Sequence, residues 1–387
     1  MGKQFLQDVS LSAVVAGGVT VLVGFASSAV IVFEAAKSMG ADQAQVASWM
    51  WALGLGMGIA CIGLSLRYRV PVVAAWSTPG AAMLIGAAGQ VGIGEATGAF
   101  MLSAVLTCLI GFSGWFERLI NRVPLALASG MLAGVLLRFG VDVFTSLQAS
   151  PGLVLGMLCA YLAGRRWFPR YAVIATLATG IVIAGLQGEL GWRGVELAWA
   201  TPVFVRPELS LPAIFGVALP LFVVTMASQN VPGVAVMRAS GYSMPISQTV
   251  GWIGVINVVL APFGAFALNL AAITAAICMG REAHEDPSRR YVAAVAAGLF
   301  YVLVGLFGAG VASLFGAFPR PLVLALAGLA LLGTLGASLT TAMNDERDRE
   351  AALITFLVTA SGLTLMGIGA AFWGLLAGLA ARWMLRR

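Results

Sequence analysis

The sequence predicts a polytopic α-helical membrane protein, and three features of its composition support this fold class. Of the 387 residues, 60% are hydrophobic and only 10% are charged, whereas a soluble domain carries about 25% charged residues. Glycine contributes 48 residues, and the mean hydropathy is +0.96. A chain this apolar has too little polar surface to cover a water-soluble body. The composition therefore excludes soluble enzymes, nucleic-acid-binding proteins, disulfide scaffolds and disordered chains.

Apolar runs of about 20 residues, the length that crosses a bilayer, occur along the whole chain. The uncharged stretch 239–280 alone is long enough for two spans. The uncharged stretch 351–381 is divided between two short helices that turn near Gly367 and Gly369. The predicted spans, in order, are 10–33, 43–65, 71–89, 93–114, 123–140, 151–165, 170–188, 211–230, 243–261, 263–279, 291–313, 320–341, 351–366 and 369–385.

The distribution of basic residues predicts the orientation of these fourteen spans. With the N-terminus in the cytoplasm, 17 of the 22 lysines and arginines fall in cytoplasmic loops and 5 fall in loops on the other side. Cytoplasmic loops of membrane proteins carry such an excess of positive charge. We therefore expect both termini to be cytoplasmic.

Fourteen spans divide into two halves of seven, and an odd number per half predicts opposite orientations. A weak sequence similarity within the chain supports this, because residues 24–40 align without gaps on residues 225–241. The two aligned segments belong to the first span of each half. The sequence thus predicts two inverted repeats.

The third span of each half is interrupted. In the first half, Pro79 follows Ser77 and Thr78 in mid-span, and in the second half Gly264 and Asn269 interrupt the tenth span. Each pattern predicts an extended segment followed by a half-helix, with Ser77 or Thr78 capping the first half-helix and Asn269 capping the second. Interrupted spans at matching positions of inverted repeats are typical of a transporter's binding site. The N-termini of two half-helices favour an anion.

The predicted membrane interior lacks the groups that metal binding or catalysis requires. All 16 acidic residues fall in loops or near span ends, and the single histidine, His284, lies in a charged loop. The sequence therefore predicts no enzyme, no bound metal and no cofactor. The glycine-rich stretch 54–58 lies inside a span, which favours close helix packing over a phosphate loop. Cysteines in apolar runs are expected to be packing residues; these are Cys61, Cys108, Cys159 and Cys278.

Polar side chains in mid-span are the candidate substrate ligands. Hydrogen bonds between helices explain the hydroxyl groups equally well, and capping alone explains Ser77 and Thr78. Amides at membrane depth need stronger compensation. The candidates outside the interrupted spans are Ser27, Ser28, Thr225, Ser228, Gln229 and Asn230. Aromatic side chains nearby on which a ring could pack are Phe25, Phe33, Trp76 and Phe266, although core packing is the commoner role.

Three stretches resemble the benzoate:proton symporter family of the BenE type, and the resemblance extends over essentially the whole chain. They are AAWSTPGAAMLIG, TMASQNVPGVAVMRASGY and FALNLAAITAAICMGREAHEDPSRRY. The wider group includes uracil and xanthine permeases and sulfate transporters. The resemblance implies a core domain of residues 1–114 and 209–313 that moves like an elevator past a gate domain of residues 115–208 and 314–387. It also implies the inner (plasma) membrane of a bacterium.

The same resemblance implies a substrate site between the third and tenth spans. Carried over by position, the tenth-span part falls at Leu268, Asn269 and Leu270, and the eighth-span part falls near Ser228, Gln229 and Asn230. Nucleobase permeases carry a carboxylate at about the position of Leu268, and this chain has none. That difference fits a substrate with its own carboxylate. The nearest acid for proton coupling is Glu34, for which a solvated loop charge is the commoner explanation.

The expected function is secondary active import of benzoate or a related aromatic carboxylate with a proton. A different anion or nucleobase permease of the same fold is the alternative. An anion channel or a non-transporting membrane scaffold is a third hypothesis, and an intramembrane enzyme comes last. The expected partners are the substrate, the proton and the lipid bilayer, without nucleic acid, and a homodimer is one assembly that such a chain could form.

Overall fold

The computed structural model describes residues 7–87, 89, 91–120, 123–168, 171–191, 199–307, 318–363, 365 and 370–385. These residues form a mostly helical protein with one two-stranded ribbon. Within them, seven helical segments are long and apolar enough to cross a membrane, namely Gln43–Tyr68, Ile93–Phe112, Leu125–Gln148, Leu211–Ala239, Ile246–Phe263, Pro287–Phe307 and Arg320–Asn344. The predicted class of helical membrane protein agrees with this architecture.

The elements of the first half follow the predicted spans closely. The third predicted span is a strand followed by a short helix, as the proline and glycine in its middle indicated. The elements are α1 (Leu11–Ser38), α2 (Gln43–Tyr68), β1 (Ala74–Trp76), α3 (Thr78–Gly86), α4 (Ile93–Phe112), α5 (Trp115–Ile120), α6 (Leu125–Thr145), α7 (Pro151–Trp167) and α8 (Ala172–Leu186).

The second half repeats the order of helix, helix, strand and short helix. Its elements are α9 (Leu211–Ala239), α10 (Ile246–Leu260), β2 (Leu268–Leu270), α11 (Ile273–Met279), α12 (Tyr291–Phe307), α13 (Arg320–Asn344), α14 (Arg349–Ala360) and α15 (Ala370–Leu385). In both halves a residue in the left-handed region ends the helical segment before the strand, Arg69 with φ 53° and Gly264 with φ 104°. A left-handed residue stops a helix and turns the chain out of it.

Helix α9 differs from the prediction, because it continues to Ala239 instead of ending at residue 230. It contains two π turns, Ile214–Ala218 and Met226–Asn230. Each π turn ends two residues before a proline, Pro220 or Pro232. A proline ring clashes with the carbonyl four residues earlier, and the wider turn gives that carbonyl room. The helix therefore passes both prolines without ending.

The last part of the chain forms two helices, as expected, rather than one long helix. Asp348 lies just before α14, and its carboxylate accepts a hydrogen bond of 2.8 Å from Arg382 near the end of α15. This ion pair joins the start of one helix to the end of the next, so the two helices run antiparallel. The predicted turn positions, Gly367 and Gly369, lie outside the described residues.

Glycines allow α2 and α12 to approach closely. A Cβ atom on Gly54 would lie 2.6 Å from the Cα of Gly305, and one on Gly58 would lie 2.8 Å from the carbonyl oxygen of Gly298. Small residues at such contacts are typical of helix pairs in membranes. The interpretation of the stretch 54–58 as a packing surface is confirmed.

The helices pack in two groups. In the first group α2 packs along α12, α4 packs along α10, and α1 also contacts α12. In the second group α6 packs along α13 and α14, and α7 packs on α8. Contacts between the groups include α9 with α6 and α1 with α13.

Replacing Gly264 with alanine tests the turn before β2. The positive φ and the ring of Trp49, which an added Cβ would overlap, should together cost roughly 2–5 kcal/mol. We expect the midpoint of thermal unfolding in detergent to fall by several degrees or more.

Two other glycines provide matched controls for this substitution. Gly40 has φ 83° but no atom within 4 Å of an added Cβ, whereas Gly63 has neither a positive φ nor a close neighbour. Gly63→Ala should keep the native midpoint, Gly40→Ala should lower it moderately, and Gly264→Ala should lower it most. Equal midpoints for Gly40→Ala and Gly264→Ala would contradict the contact with Trp49.

Candidate functional site

The centre of the candidate site is the ribbon of β1 and β2, which joins the two interrupted spans. The strands are antiparallel, with Ala74 opposite Leu270, Ala75 opposite Asn269 and Trp76 opposite Leu268. Two further backbone hydrogen bonds extend the ladder. The Ser77 amide donates to Ala267 and the Ala271 amide donates to Val73, each at 2.9 Å. The ribbon thus binds the first half of the chain directly to the second.

Side chains of α2 hold the first strand and the segment that leads into it. The amide of Ala74 donates to Sγ of Cys61 at 3.2 Å. The hydroxyl of Ser65 accepts from the Val72 amide at 3.0 Å and donates to the Val72 carbonyl at 3.1 Å. These contacts satisfy backbone groups that lie beyond the strand pairing. Cys61 therefore has a structural role beside its role in packing.

Two asparagines hold the second strand. Oδ1 of Asn230, in the second π turn of α9, accepts from the Leu270 amide at 3.0 Å, and its Nδ2 donates to the sulfur of Met226 at 3.2 Å. Oδ1 of Asn257 on α10 accepts from the Leu268 amide at 3.4 Å. Both Asn230 and Asn257 are buried. The amide of Asn230 is thus engaged with the protein itself.

One face of the ribbon packs on the helices of the first half. The indole N–H of Trp76 donates to Oγ of Ser28 at 2.9 Å, and the ring of Phe25 meets the indole edge-on at a centroid distance of 4.7 Å. Leu268 lies opposite Trp76 and contacts the α2 backbone at Gly56. The aromatic pair therefore forms the wall behind the ribbon.

The other face of the ribbon carries an unpaired polar atom. Side chains directly opposite in an antiparallel pair lie on the same face, so Asn269 shares its face with Ala75. Ala75 is the one residue of β1 that is partly exposed. Asn269 is fully buried, its Nδ2 donates to the Ala267 carbonyl at 3.2 Å, and its Oδ1 has no hydrogen-bond partner. Such a buried acceptor is costly without a donor.

A second unpaired oxygen lies on α9. The hydroxyl of Thr225, one residue before the second π turn, is buried and has no partner. Ser228 and Gln229 lie within that turn and are partly exposed. The turn itself packs against β2. The predicted eighth-span residues therefore lie beside the ribbon, in a π turn that the sequence analysis missed.

The start of α3 agrees with the predicted cap. Oγ of Ser77 accepts from the Gly80 amide at 3.0 Å, and Pro79 lies in the first turn. Because Pro79 has no amide hydrogen, the amide and hydroxyl of Thr78 are the remaining donors of this turn. Neither has a hydrogen-bond partner among the described residues. Thr78 is partly exposed.

One predicted role is wrong. Asn269 does not cap the second half-helix, because α11 begins at Ile273 after Ala272 with no side-chain cap, and the strand pairing holds Asn269 in extended backbone. Phe266 is fully buried between Trp49 and Phe100 at centroid distances of 5.7 Å and 6.1 Å, and its contact with a substrate ring stays a prediction.

The remaining predicted positions have simple outcomes. Ser28 is buried and donates to the Gly24 carbonyl at 2.8 Å, so its hydroxyl is engaged within the fold. The side chain of Ser27 lies outside the described side chains. Glu34 is exposed and pairs with Lys37 at 3.8 Å, as a solvated charge does. In the described part of the chain, no group of histidine, cysteine and acidic residues could hold a metal ion.

Comparisons with known proteins assign the chain to a family. The family model described as "Benzoate membrane transport protein" matches residues 7–384. The Benzoate membrane transport protein of Acinetobacter baylyi is 38% identical over 383 residues, which cover 99% of this chain and 97% of that protein. The Inner membrane protein YdcO of Escherichia coli is 49% identical over 363 residues, 94% of this chain and 93% of that protein. The chain belongs to the benzoate membrane transport family, and the resemblance seen in the sequence is confirmed.

The solved structures that match this chain include two transporters. The transmembrane domain of the cyanobacterial bicarbonate transporter BicA is 13% identical, with a TM-score of 0.46 and coverage of 95% of this chain and 97% of that one. Murine Slc26a9, an anion transporter in its inward-facing state, is 11% identical, with a TM-score of 0.48 and coverage of 97% and 68%.

Two neighbouring amides in α9 should respond differently to substitution by leucine. Asn230→Leu leaves the buried Leu270 amide without its acceptor, which should cost about 1–3 kcal/mol. Gln229 makes no hydrogen bond within the described residues and is partly exposed, so Gln229→Leu should keep the native stability. Thermal unfolding of the purified variants in detergent measures the difference, and equal midpoints would show that Asn230 does not anchor the ribbon.

Proposed function

We propose that this member of the benzoate membrane transport family imports benzoate, or a related aromatic carboxylate, together with a proton across a bacterial inner membrane. The similarity to the Benzoate membrane transport protein of Acinetobacter baylyi supports the substrate class. The observation that carries the proposal is the buried, unpaired Oδ1 of Asn269, on the ribbon face that Asn269 shares with the partly exposed Ala75.

The polar groups of Thr78 and Asn269 suit a carboxyl group that carries a proton. Thr78 supplies donors, its amide and its hydroxyl, and Asn269 supplies an acceptor that lacks a donor. A protonated carboxyl group has one hydroxyl to donate and one carbonyl oxygen to accept. Its hydroxyl would bind Oδ1 of Asn269, and its carbonyl oxygen would bind Thr78. This pairing brings substrate and proton into the site together, and the partly exposed Ser228 and Gln229 would complete the polar wall.

The absence of charge at the ribbon supports the same substrate class. Ser77, Thr78, Leu268, Asn269 and Leu270 include no ionisable side chain. An anion therefore meets no repelling carboxylate there, and a cation finds no counter-ion. A neutral, hydrogen-bonded carboxylic acid loses less hydration in such a site than an isolated carboxylate does.

The proposal includes fourteen spans in two inverted repeats, and an elevator-like movement. The core domain comprises residues 1–114 and 209–313, and the gate domain comprises residues 115–208 and 314–387. The packing of α2 on α12 and of α6 on α13 supports this division, because the most extensive helix pairs lie within one domain. The ribbon belongs wholly to the core domain, so the site would move with it.

The proposed orientation has both termini in the cytoplasm. Asp8, before α1, lies 3.5 Å from Arg69 and 3.4 Å from Arg289. These contacts bring the start of the chain to the same side as two arginines that the excess of basic residues predicts to be cytoplasmic.

Uptake of labelled benzoate into proteoliposomes tests the function directly. We expect saturable uptake that depends on the protein and that an inward proton gradient drives above equilibrium. Protein-free liposomes are the control, because undissociated benzoic acid crosses bilayers unaided. Folded protein without any uptake above this control would contradict the proposal. Competition by uracil or sulfate would instead favour a nucleobase or anion permease.

Asn269→Leu should separate transport from stability. The substitution removes the unpaired buried Oδ1 together with the Nδ2 bond to the Ala267 carbonyl, which still accepts from the Ser77 amide. The two losses oppose each other, so the unfolding midpoint should change little. Loss of a hydrogen bond to the substrate should weaken benzoate binding by roughly tenfold or more. Unchanged binding in a stable Asn269→Leu protein would exclude the proposed site.

Thr78→Val should weaken benzoate binding by a similar factor, because it removes the hydroxyl but keeps the shape of the side chain. Thr107→Val is the matched control, since the hydroxyl of Thr107 is buried in α4 and donates to the Ser103 carbonyl at 3.0 Å. The control should bind benzoate normally. Equal binding by the Thr78 and Thr107 variants would remove Thr78 from the site.

A further inference from the structure

Two carboxylates are buried within the described residues, and each forms an ion pair. Asp348, with a side chain 5% exposed, pairs with Arg382 at 2.8 Å. Glu282, with a side chain 6% exposed, pairs with Arg165 at 2.9 Å. The first pair joins α14 to α15, which pack on each other. The second pair joins the segment after α11 to the last turn of α7, two elements that are distant in the sequence.

The carboxylate of Glu282 lies directly on the backbone of α13. A Cβ atom on Gly333 would lie 2.9 Å from its Oε1, so a larger residue at this position would displace the carboxylate. The same side chain lines a small cavity with Ser12 of α1 and Ala330 of α13. Glu282 therefore reaches from the segment after α11 into a surface formed by α7 and α13.

This contact crosses the proposed boundary between the two domains. Glu282 belongs to the core domain, whereas Arg165 and Gly333 belong to the gate domain. Among the described residues, the other ion pairs join residues within one domain. Apolar helices in lipid gain no hydrophobic energy from packing on each other. A polar contact across such a boundary therefore weighs heavily in deciding which relative position is stable.

We propose that Arg165 and Glu282, seated on Gly333, form an ionic latch that holds the core domain against the gate domain in this conformation. The latch must open before the core can move. A buried carboxylate without its partner is strongly unfavourable, so opening requires that water reach Glu282 at the same time. The proposal rests on the proposed function, because it needs two domains that move relative to each other.

A cysteine placed beneath the latch reports its opening. Ala330 is 3% exposed and lines the cavity beside Glu282, so Ala330→Cys should react slowly with a maleimide while the latch is closed. Cys108 and Cys159, which are not buried, are replaced by serine to remove background labelling. In this protein, Glu282→Gln should raise the labelling rate about fivefold or more. Arg165→Gln, which removes the other partner of the ion pair, should also raise the labelling rate.

Asp348→Asn is the matched control, since it breaks a buried ion pair within the gate domain. It should lower the unfolding midpoint without raising the labelling of the introduced cysteine. The Glu282→Gln, Arg165→Gln double variant should label no faster than the faster single variant, because both changes remove one interaction. Gly333→Ala, which displaces the carboxylate without changing a charge, should also raise labelling.

The outcomes separate the latch from a general loosening of the fold. Unchanged labelling in both Glu282→Gln and Arg165→Gln, or equal acceleration by Asp348→Asn, would overturn the proposal. Arg165 is 39% exposed, so Arg165→Gln should fold even if Glu282→Gln does not. The assay contains no benzoate. Failure of benzoate uptake with accelerated labelling would therefore reject the substrate and keep the latch. Normal uptake with unchanged labelling would reject the latch and keep the substrate.

Discussion

The need to satisfy extended backbone at membrane depth governs this structure. Lipid offers no hydrogen bonds, so a chain that leaves the helical conformation must find partners within the protein. Here β1 and β2 pair with each other, and the backbone groups beyond the pairing reach side chains of α2, α9 and α10. The two short strands, six residues in all, thus fix the relative positions of helices from both halves of the chain.

This constraint also divides the polar residues between structure and ligand binding. Ser65, Asn230 and Asn257 are engaged by the backbone, and Ser28 is engaged by Trp76. The proposed substrate site is centred on polar groups near the ribbon that have no partner among the described residues. Asn269 and Thr225 each have a side-chain oxygen that is both buried and unpaired, and Asn269 is the one that lies on the ribbon itself.

Local patterns predicted much of this fold, and long-range contacts account for the rest. Pro79 marked the interruption of the third span and Ser77 marked its cap, because both effects act within one turn. The pairing of Asn269 with Ala75 joins residues almost two hundred positions apart, so no local pattern predicts it, and Asn269 was mistaken for a cap. One sequence feature indicates the anchoring role of Asn257, namely its amide side chain in the middle of a span. The predicted α9 is too short because no local sequence pattern indicates the two π turns that accommodate its prolines.

The two buried ion pairs follow from the same physics as the ribbon. A charged pair within one rigid group, such as Asp348 with Arg382, is desolvated once during folding and then stays closed. A pair across a sliding boundary must be desolvated and hydrated again in each cycle, so its strength directly sets the equilibrium between the end positions. A very strong contact there would trap one position, and a purely apolar contact would give neither position a preference. Arg165 remains partly exposed while Glu282 is buried, which gives water a route to the pair when the helices separate. Because one partner is buried and the other is partly exposed, the contact can be both specific and reversible.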